Sequence, residues 1–397
     1  IEKNKVRADL GITYEMDVLR LIDAFRGIGL FVGSVVITQY NGQAAADHFK
    51  TRLSQLGLKV YTHYQIPGYP SNIPLIVSDE GYGKNDYVET TQLYHEYKRD
   101  KKAGYAKFET FPIWNLPLKH PVNLAYEAAT ADLNDVNMID PFHLEAYGET
   151  TVNYNRDVEI FPVLNAIFEK IVGKSPYQSP TDMGVNMAGN CIFDDEAVRE
   201  ASKQEIIRRY YQALCAQKQG RAGEDVVYKV ELIMNQAGIT SADRAVVAPA
   251  LARAEESGDP ASAMELPDGT IITGGTSPLL GSCAALILNA LKHLGGISHD
   301  IHLISPIVIE PIQNLKIRHL GSHNPRLHTD EVLIALSISA ATNPTAAYAL
   351  EQLSKLRGCE VHSSVLLSHV DESVFRKLGV NLTCEPQYQA DDKLYHR

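Results

Sequence analysis

FETFPIWNLPLKHPVNLAYEAATADLNDVNMIDPFHLEAYGETTVNYNRD, residues 108–157, is the stretch around which the chain is organised. It holds Trp114, the one tryptophan of the sequence. Lys119, His120, Asn123, Asp132, Asp135, Asn137, Asp140, His143 and Asp157 alternate in it with aromatics and prolines. Pro112, Pro117, Pro121 and Pro141 remove backbone donors and bar continuation, so the stretch is neither one long helix nor one long strand. A surface loop has little use for so many aromatics, and a plain core little use for so many acids and amides. Two readings follow: a walled ligand pocket, which uses both, or an irregular core whose polar groups satisfy one another.

Upstream, residues 14–29 carry Met16, Leu19, Ile22 and Phe25 at helical spacing, and Phe31–Tyr40 is an apolar run of strand type. A helix over Ala44–Leu56 closes at Gly57, a second strand covers Leu58–Tyr64 and a third Ile73–Glu80. Helices alternating with buried-type strands predict an α/β fold with a parallel, P-loop or Rossmann-like sheet in the N-terminal part. Ligands gather at the carboxyl ends of such strands. The loop Asp79–Asp86 therefore offers Gly81, Gly83 and Lys84 as cofactor-binding residues, the alternative being a turn with solvated charges. Gln92–Ala103 reads as a charged helix stopped by Gly104, and Tyr105–Phe111 as a strand. YVETT passes into QLYHE with almost no connection, which is an irregularity in the alternation.

Downstream, Val158–Gly173 is an amphipathic helix, and Ser179–Asn190 is a glycine- and amide-rich loop. Asp194–Glu256 is almost wholly helical, with Ser241 expected to cap its last helix and Arg208-Arg209 either meeting a phosphate or lying on a solvated face. Gly258-Asp259-Pro260 reads as a linker. Ala263–Gly275 forms a hairpin on Asp268-Gly269, CAALILNALKHLGG a buried helix, and IHLISPIVIEPI a strand. A helix through Leu350–Leu356 and a strand at Val361–Ser368 complete a second α/β layer. The division expected is 1–178, α/β and nucleotide-binding-like; 179–262, mainly helical; and 263–397, C-terminal α/β.

Composition narrows the classes. The 397 residues are 45% hydrophobic and 21% charged, and contain nothing near the roughly 18–20 unbroken apolar residues of a membrane span. A net charge of −11 argues against a general nucleic-acid binder. Five scattered cysteines without a C-x-x-C pair argue against a zinc knuckle and for a reducing, cytoplasmic setting. The chain opens at Ile1 without a signal-like segment and reads as the interior of something longer.

The chemistry-bearing candidates are few. Asp132 and Asp135 are three apart, as are Asp140 and His143, a spacing that faces one ion on a helix, although Pro141 allows only a first turn there. The alternative is capping and internal pairing. G-x-S-x-G does not occur. The hairpin and helix around Cys283 are a faint topological echo of cytidine deaminases, but Cys283-Ala284-Ala285 lacks the acid/base Glu, and P-C-x-x-C is missing. In His323-Asn324-Pro325-Arg326-Leu327-His328-Thr329-Asp330, an arginine beside two histidines suits a carboxylate or phosphate. Its alternative is a helix entry capped by Thr329 or Asp330.

Longer segments carry a resemblance. VSDEGYGKND, AGYAKFETFPIWNLPLKHPVNLAYEAATADL, VNMIDPFHLEAYG, VNYNRDVEIFPVLNAIFEKI, SPTDMGVNMAG and NPRLHTDEVLIALSISAATNPTA resemble the bacterial family called domain of unknown function 1846, over essentially the whole chain. That family has no established activity. The resemblance implies a strand and a glycine-rich, lysine-bearing, P-loop-like turn between the segments matching Thr91 and Gln92, which would account for the irregularity there. It also implies further residues before the segment matching Ile1.

The first expectation is thus a nucleotide binder taking ATP or GTP with Mg²⁺, in the manner of a kinase-like phosphotransferase. Asp132, Asp135, Asp140 and His143 would serve catalysis or hold the ion, while Lys119 and His120, with His323 and Arg326, would contact phosphate or substrate. The second is a non-catalytic ligand-binding or assembly protein, and the third a metal hydrolase using Asp140 and His143. The partner expected is a small molecule or nucleotide, with neither nucleic acid nor membrane, and self-association left open.

Overall fold

The computed structural model describes residues 6–7, 12–27, 32, 34–37, 40, 42–62, 97–100, 104, 107–108, 112–185 and 188–389. The third expected strand and the Asp79–Asp86 loop, with Gly81, Gly83 and Lys84, lie outside them. The chain divides into two compact units: Ile1–Glu109 with Asp140–Glu149 and Arg156–Val185, and Thr110–Ile139 with Thr150–Asn155 and Asn186–Arg397.

In the first unit, β1 (Val6–Arg7) pairs antiparallel with β2 (Ile12–Thr13), and the helix Tyr14–Gly27 follows. β3 (Ser34–Ile37) and β4 (Lys59–Thr62) are parallel, with Val35 opposite Val60, and the helix Ala44–Gln55 connects them. That helix buries Ala46, Phe49 and Leu53 against Ile22, Ile37 and Leu58. It ends at Gly57, whose φ of +77° is a conformation most side chains avoid. The strand–helix–strand order expected from periodicity is therefore present in this stretch. β5 (Lys107–Phe108) pairs in parallel with β8 (Gly184–Val185). The helix Asn155–Val172 supplies Phe161, Ile167, Phe168 and Ile171 to a second cluster, joined by Met183 of the short helix Pro180–Met183. The ring of Phe142, on the helix Pro141–Tyr147, lies 4.9 Å from that of Phe161 at a tilt of 53°.

The second unit begins with the Pro121–Ala129 helix and the antiparallel pair β6 (Asn137–Ile139) and β7 (Val152–Tyr154). Leu124 and Ala128 pack with Ile206, Ile207 and Tyr211 of the Asp195–Lys218 helix and Val230 and Ile233 of the Glu224–Ala237 helix. The C-terminal layer is a four-stranded sheet of order β10-β9-β11-β12. Its strands are β9 (Ala261–Glu265), β10 (Ile271–Gly275), β11 (Glu360–Ser363) and β12 (Asn381–Cys384). β9 runs antiparallel to both neighbours, and β12 is parallel to β11. The Ser282–Leu294 helix lies on this sheet so closely that a Cβ on Gly274 would come within 2.3 Å of the Leu286 nitrogen. Met264, Leu286, Ile287, Leu291, Val361 and Phe375 form the centre of its core.

Three local expectations are corrected. IHLISPIVIEPI is not a strand: the helix Pro306–Asn314 runs through it and continues as a π-helical turn, Leu315–His319. Pro306 and Pro311 would each remove a ladder donor from a strand, whereas Pro306 in a helical first turn costs nothing and Ser305 caps the Ile307 N–H. Ser241 does not cap the last middle helix. Thr240 and Asp243 form a capping box around a 3₁₀ turn, and the helix Val247–Ser257 starts later. Strand Val361–Ser368 is shorter than expected, ending at Ser363, where the Ser363 hydroxyl takes the Val365 N–H.

Candidate functional site

The central stretch uses its polar side chains internally. Asn123 accepts from the Ile113 N–H at 2.8 Å and donates to the Ile113 and Pro117 carbonyls, which ties the Pro-rich turn to the Pro121–Ala129 helix. Asn137 donates from its side chain to the Asn123 carbonyl and from its N–H to Glu127 Oε1. Burial raises the Glu127 carboxyl, and the Asn137 N–H partly offsets it. His120 caps the same helix: Nδ1 accepts from the Val122 N–H, so Nε2 carries the proton and donates to Asp195 Oδ1 at 2.9 Å. Asp135 is buried, while Asp132 and Lys119 are exposed.

Asp140 and His143 belong to the first unit, and Asp132 and Asp135 to the second. Asp140 is wholly buried, and both its oxygens are engaged. Oδ1 takes the N–H groups of Phe142 and His143, and Oδ2 the N–H and hydroxyl of Thr181. This is a helix cap that also pins the 179–183 turn. His143 Nδ1 lies 2.8 Å from Ser179 Oγ and 3.8 Å from Asp182 Oδ1. A serine and an aspartate beside one histidine invite comparison with a nucleophilic triad. A triad places them on opposite ring nitrogens, and here both meet Nδ1. Among the described residues, no three His, Cys, Asp or Glu side chains come together as a metal site requires.

A different arrangement occupies the C-terminal layer. His328 precedes the helix Thr329–Ala340, and Asp371 lies in the first turn of the helix His369–Leu378. His328 Nδ1 is 3.0 Å from Asp371 Oδ2, which also accepts the Ser368 hydroxyl. Asp371 Oδ1 accepts both the N–H and the hydroxyl of Thr329. Burial favours neutral forms of both groups, yet their mutual pairing outweighs it: the imidazole of His328 is raised and the carboxyl of Asp371 lowered. Glu331 Oε2 receives the His328 N–H at 2.8 Å and the buried Lys316 ammonium at 2.7 Å. Lys316, carried by the π-helical turn, also donates to the Arg326 carbonyl. Two ion pairs thus hold the His328 segment from both sides.

Two cavities share His328 and Asp371 in their walls. The smaller, about 40 Å³, is lined by Ser282, Cys283, Asn324, Arg326, His328 and Asp371. The larger is a cleft of about 490 Å³ with Lys316, Asp330, Glu331, Ser368 and His369 among its polar groups. Leu320, Leu366, Leu367 and Val370 make its apolar walls. Cys283 sits 3.3 Å from Ser262 Oγ, and burial pushes its thiol up to about 12, leaving it a poor nucleophile near neutrality.

The chain belongs to the DUF1846 family. The profile for the N-terminal domain of unknown function DUF1846 matches residues 1–93 and 91–238, and that for its C-terminal domain matches 242–395. A UPF0371 protein of Streptococcus pneumoniae serotype 19F (strain G54) is 57% identical over 418 residues, spanning 100% of this chain and 84% of its own length. A UPF0371 protein of Streptococcus thermophilus (strain ATCC BAA-250 / LMG 18311) matches to the same extent. The N-terminal match is thus in two pieces that meet at 91–93, and the relatives align over 418 residues against 397 here.

Of the residues singled out from sequence, the fold brings Arg326 to the smaller cavity and leaves His323 exposed on the same loop. His328 was legible as part of that cluster. Asp371 was not, because its partner is 43 residues away in sequence. The only local signal was Ser368-His369-Val370-Asp371, a serine–x–x–acid helix start that places an acid in a first turn.

Proposed function

We propose that this protein is an acid–base enzyme acting on a small molecule, with its reaction centre at His328 in the C-terminal layer. The observation that carries this reading is the His328–Asp371 pair in the wall common to two cavities. Asp371 fixes the orientation of the ring and favours its protonated form, as an orienting carboxylate does for a general acid. The Lys316–Glu331 pair fixes the backbone that carries it. Cys283 contributes shape, since its thiol is held protonated.

The test is conversion of a bacterial metabolite extract by full-length protein, followed by mass spectrometry, beside His328→Gln. At least one compound should be consumed by the wild type and spared by the variant. Identical profiles from two folded proteins would refute an acid–base role.

A second reading is favoured by the parallel β3–helix–β4 unit and by the break in the family match at 91–93. In it the N-terminal part takes ATP or GTP with Mg²⁺ on a phosphate-cradling turn near that break. Calorimetric titration of the full-length protein with each nucleotide tests it, and saturable binding without turnover would favour a binding over a phosphotransferase role.

A further inference from the structure

The two cavities around His328 differ in size and chemistry, and that difference specifies a ligand. The smaller holds about 40 Å³, room for about three water-sized groups. A carboxylate is three heavy atoms, whereas a phosphate head has four or five. The charge around it favours an anion. Arg326 brings one positive charge, and Asp371 is already matched by His328, Thr329 and Ser368. Asn324 and Ser282, both buried, add polar side chains to the wall. The wall also includes the start of the Ser282–Leu294 helix, where Gly281 supplies no capping side chain.

The larger cleft is different. Lys316 and Glu331 neutralise each other, Asp330 accepts the Glu331 N–H, and four aliphatic side chains supply apolar wall. Leu320, exposed at the cleft, leaves apolar surface for a ligand to cover.

We propose that the smaller cavity receives a carboxylate and the larger cleft the apolar body attached to it, so that the ligand is a small carboxylic acid with an aliphatic or aromatic body. The inference rests on the reading of His328 as the working group only in taking these cavities as the functional ones. The acid lies with its head against Arg326 and its adjoining carbon atoms beside His328.

Calorimetric titration of the full-length protein with acetate, butanoate and hexanoate tests this, with inorganic phosphate and hexanol as comparison ligands. Affinity is expected to rise about fourfold for each methylene that enters the cleft. Phosphate and hexanol should each bind about tenfold or more weaker than hexanoate. Arg326→Gln should lower hexanoate affinity about tenfold, and Leu320→Asp, a change at an exposed position, should flatten the chain-length dependence. Absence of saturation by any acid, stronger binding of phosphate, or unchanged hexanoate affinity in folded Arg326→Gln would overturn the assignment. Acid binding with metabolite conversion unaffected in His328→Gln would sink the acid–base reading alone, whereas conversion that depends on His328 without acid binding would sink this inference alone.

Discussion

Nδ1 of His328 lies 3.0 Å from Oδ2 of Asp371, and the next residue, Thr329, fills the other carboxylate oxygen with its N–H and hydroxyl. One carboxylate therefore holds both the ring of a histidine and the start of the helix behind it. The pair makes stability depend on pH in two directions. His328 is raised, so its contribution is complete below the ordinary imidazole value of 6.5 and is lost as pH rises through the higher folded value. Asp371 is lowered, so its contribution is complete above the ordinary value of 3.8 and is lost as pH falls through the depressed folded value. Urea midpoints should show both limbs in the wild type and lose them in Asp371→Asn. Parallel curves for the two proteins would show that the pair is not coupled to folding.

Arg244 is wholly buried, and its guanidinium meets Glu360, the Thr383 hydroxyl and the carbonyls of Val361 and Asn381. It clamps the parallel strands β11 and β12. Arg244→Met removes one donor from each of these acceptors, leaving the Val361 carbonyl with the Thr383 hydroxyl, Thr383 with His362, and Glu360 with Arg208 and Asn381. The expected loss is about 3–5 kcal/mol of unfolding free energy in urea. A loss below about 1 kcal/mol, the range of an exposed pair, would mean the clamp relaxes without cost.

Gly274 faces backbone. A Cβ there would lie 2.3 Å from the Leu286 nitrogen and 2.5 Å from the Ser282 carbonyl oxygen, neither of which can rotate away. Gly274→Ala should push the Ser282–Leu294 helix off β10 and cost about 1–3 kcal/mol. Thermal unfolding beside the exposed-turn change Asp268→Ala separates this steric cost from a general weakening of the hairpin.

Asp140 and Asp132 should separate cleanly. Asp140→Ala removes the cap of the Pro141–Tyr147 helix and both contacts to Thr181, for a loss of about 2 kcal/mol and faster amide exchange across 141–147. Asp132→Ala, at an exposed turn position, should stay within about 0.5 kcal/mol. Equal effects would contradict the capping role.

Thiol reactivity should follow burial. Cys191 is exposed, whereas Cys283 and Cys384 are buried, with thiols raised by desolvation. A maleimide at neutral pH should label Cys191 in the native protein and reach Cys283 and Cys384 only after unfolding. Rapid native labelling of Cys283 would instead mark it as an activated nucleophile.

Local sequence is enough to set the alternation of helix and strand that makes β3 and β4 parallel, and the Asp268-Gly269 turn that registers β9 on β10. These follow from hydrophobic period and turn chemistry, which are local. It also marked Arg326 and His328 as neighbours worth attention, because they are two residues apart. Local reading failed at Pro306–Asn314, where an Ile- and Val-rich run is helical because Pro306 in the first turn and the Ser305 cap favour a helix start, whereas both prolines would cost a strand its ladder donors. The role of the central stretch was decided only by the fold, which folds Asn123, Asn137 and His120 back on nearby backbone and on Asp195. Tertiary structure alone brought Asp371 to His328 and Lys316 to Glu331. Such pairs form between helix starts that no periodicity connects, and their strength comes from shared burial, which is a property of the packed layer.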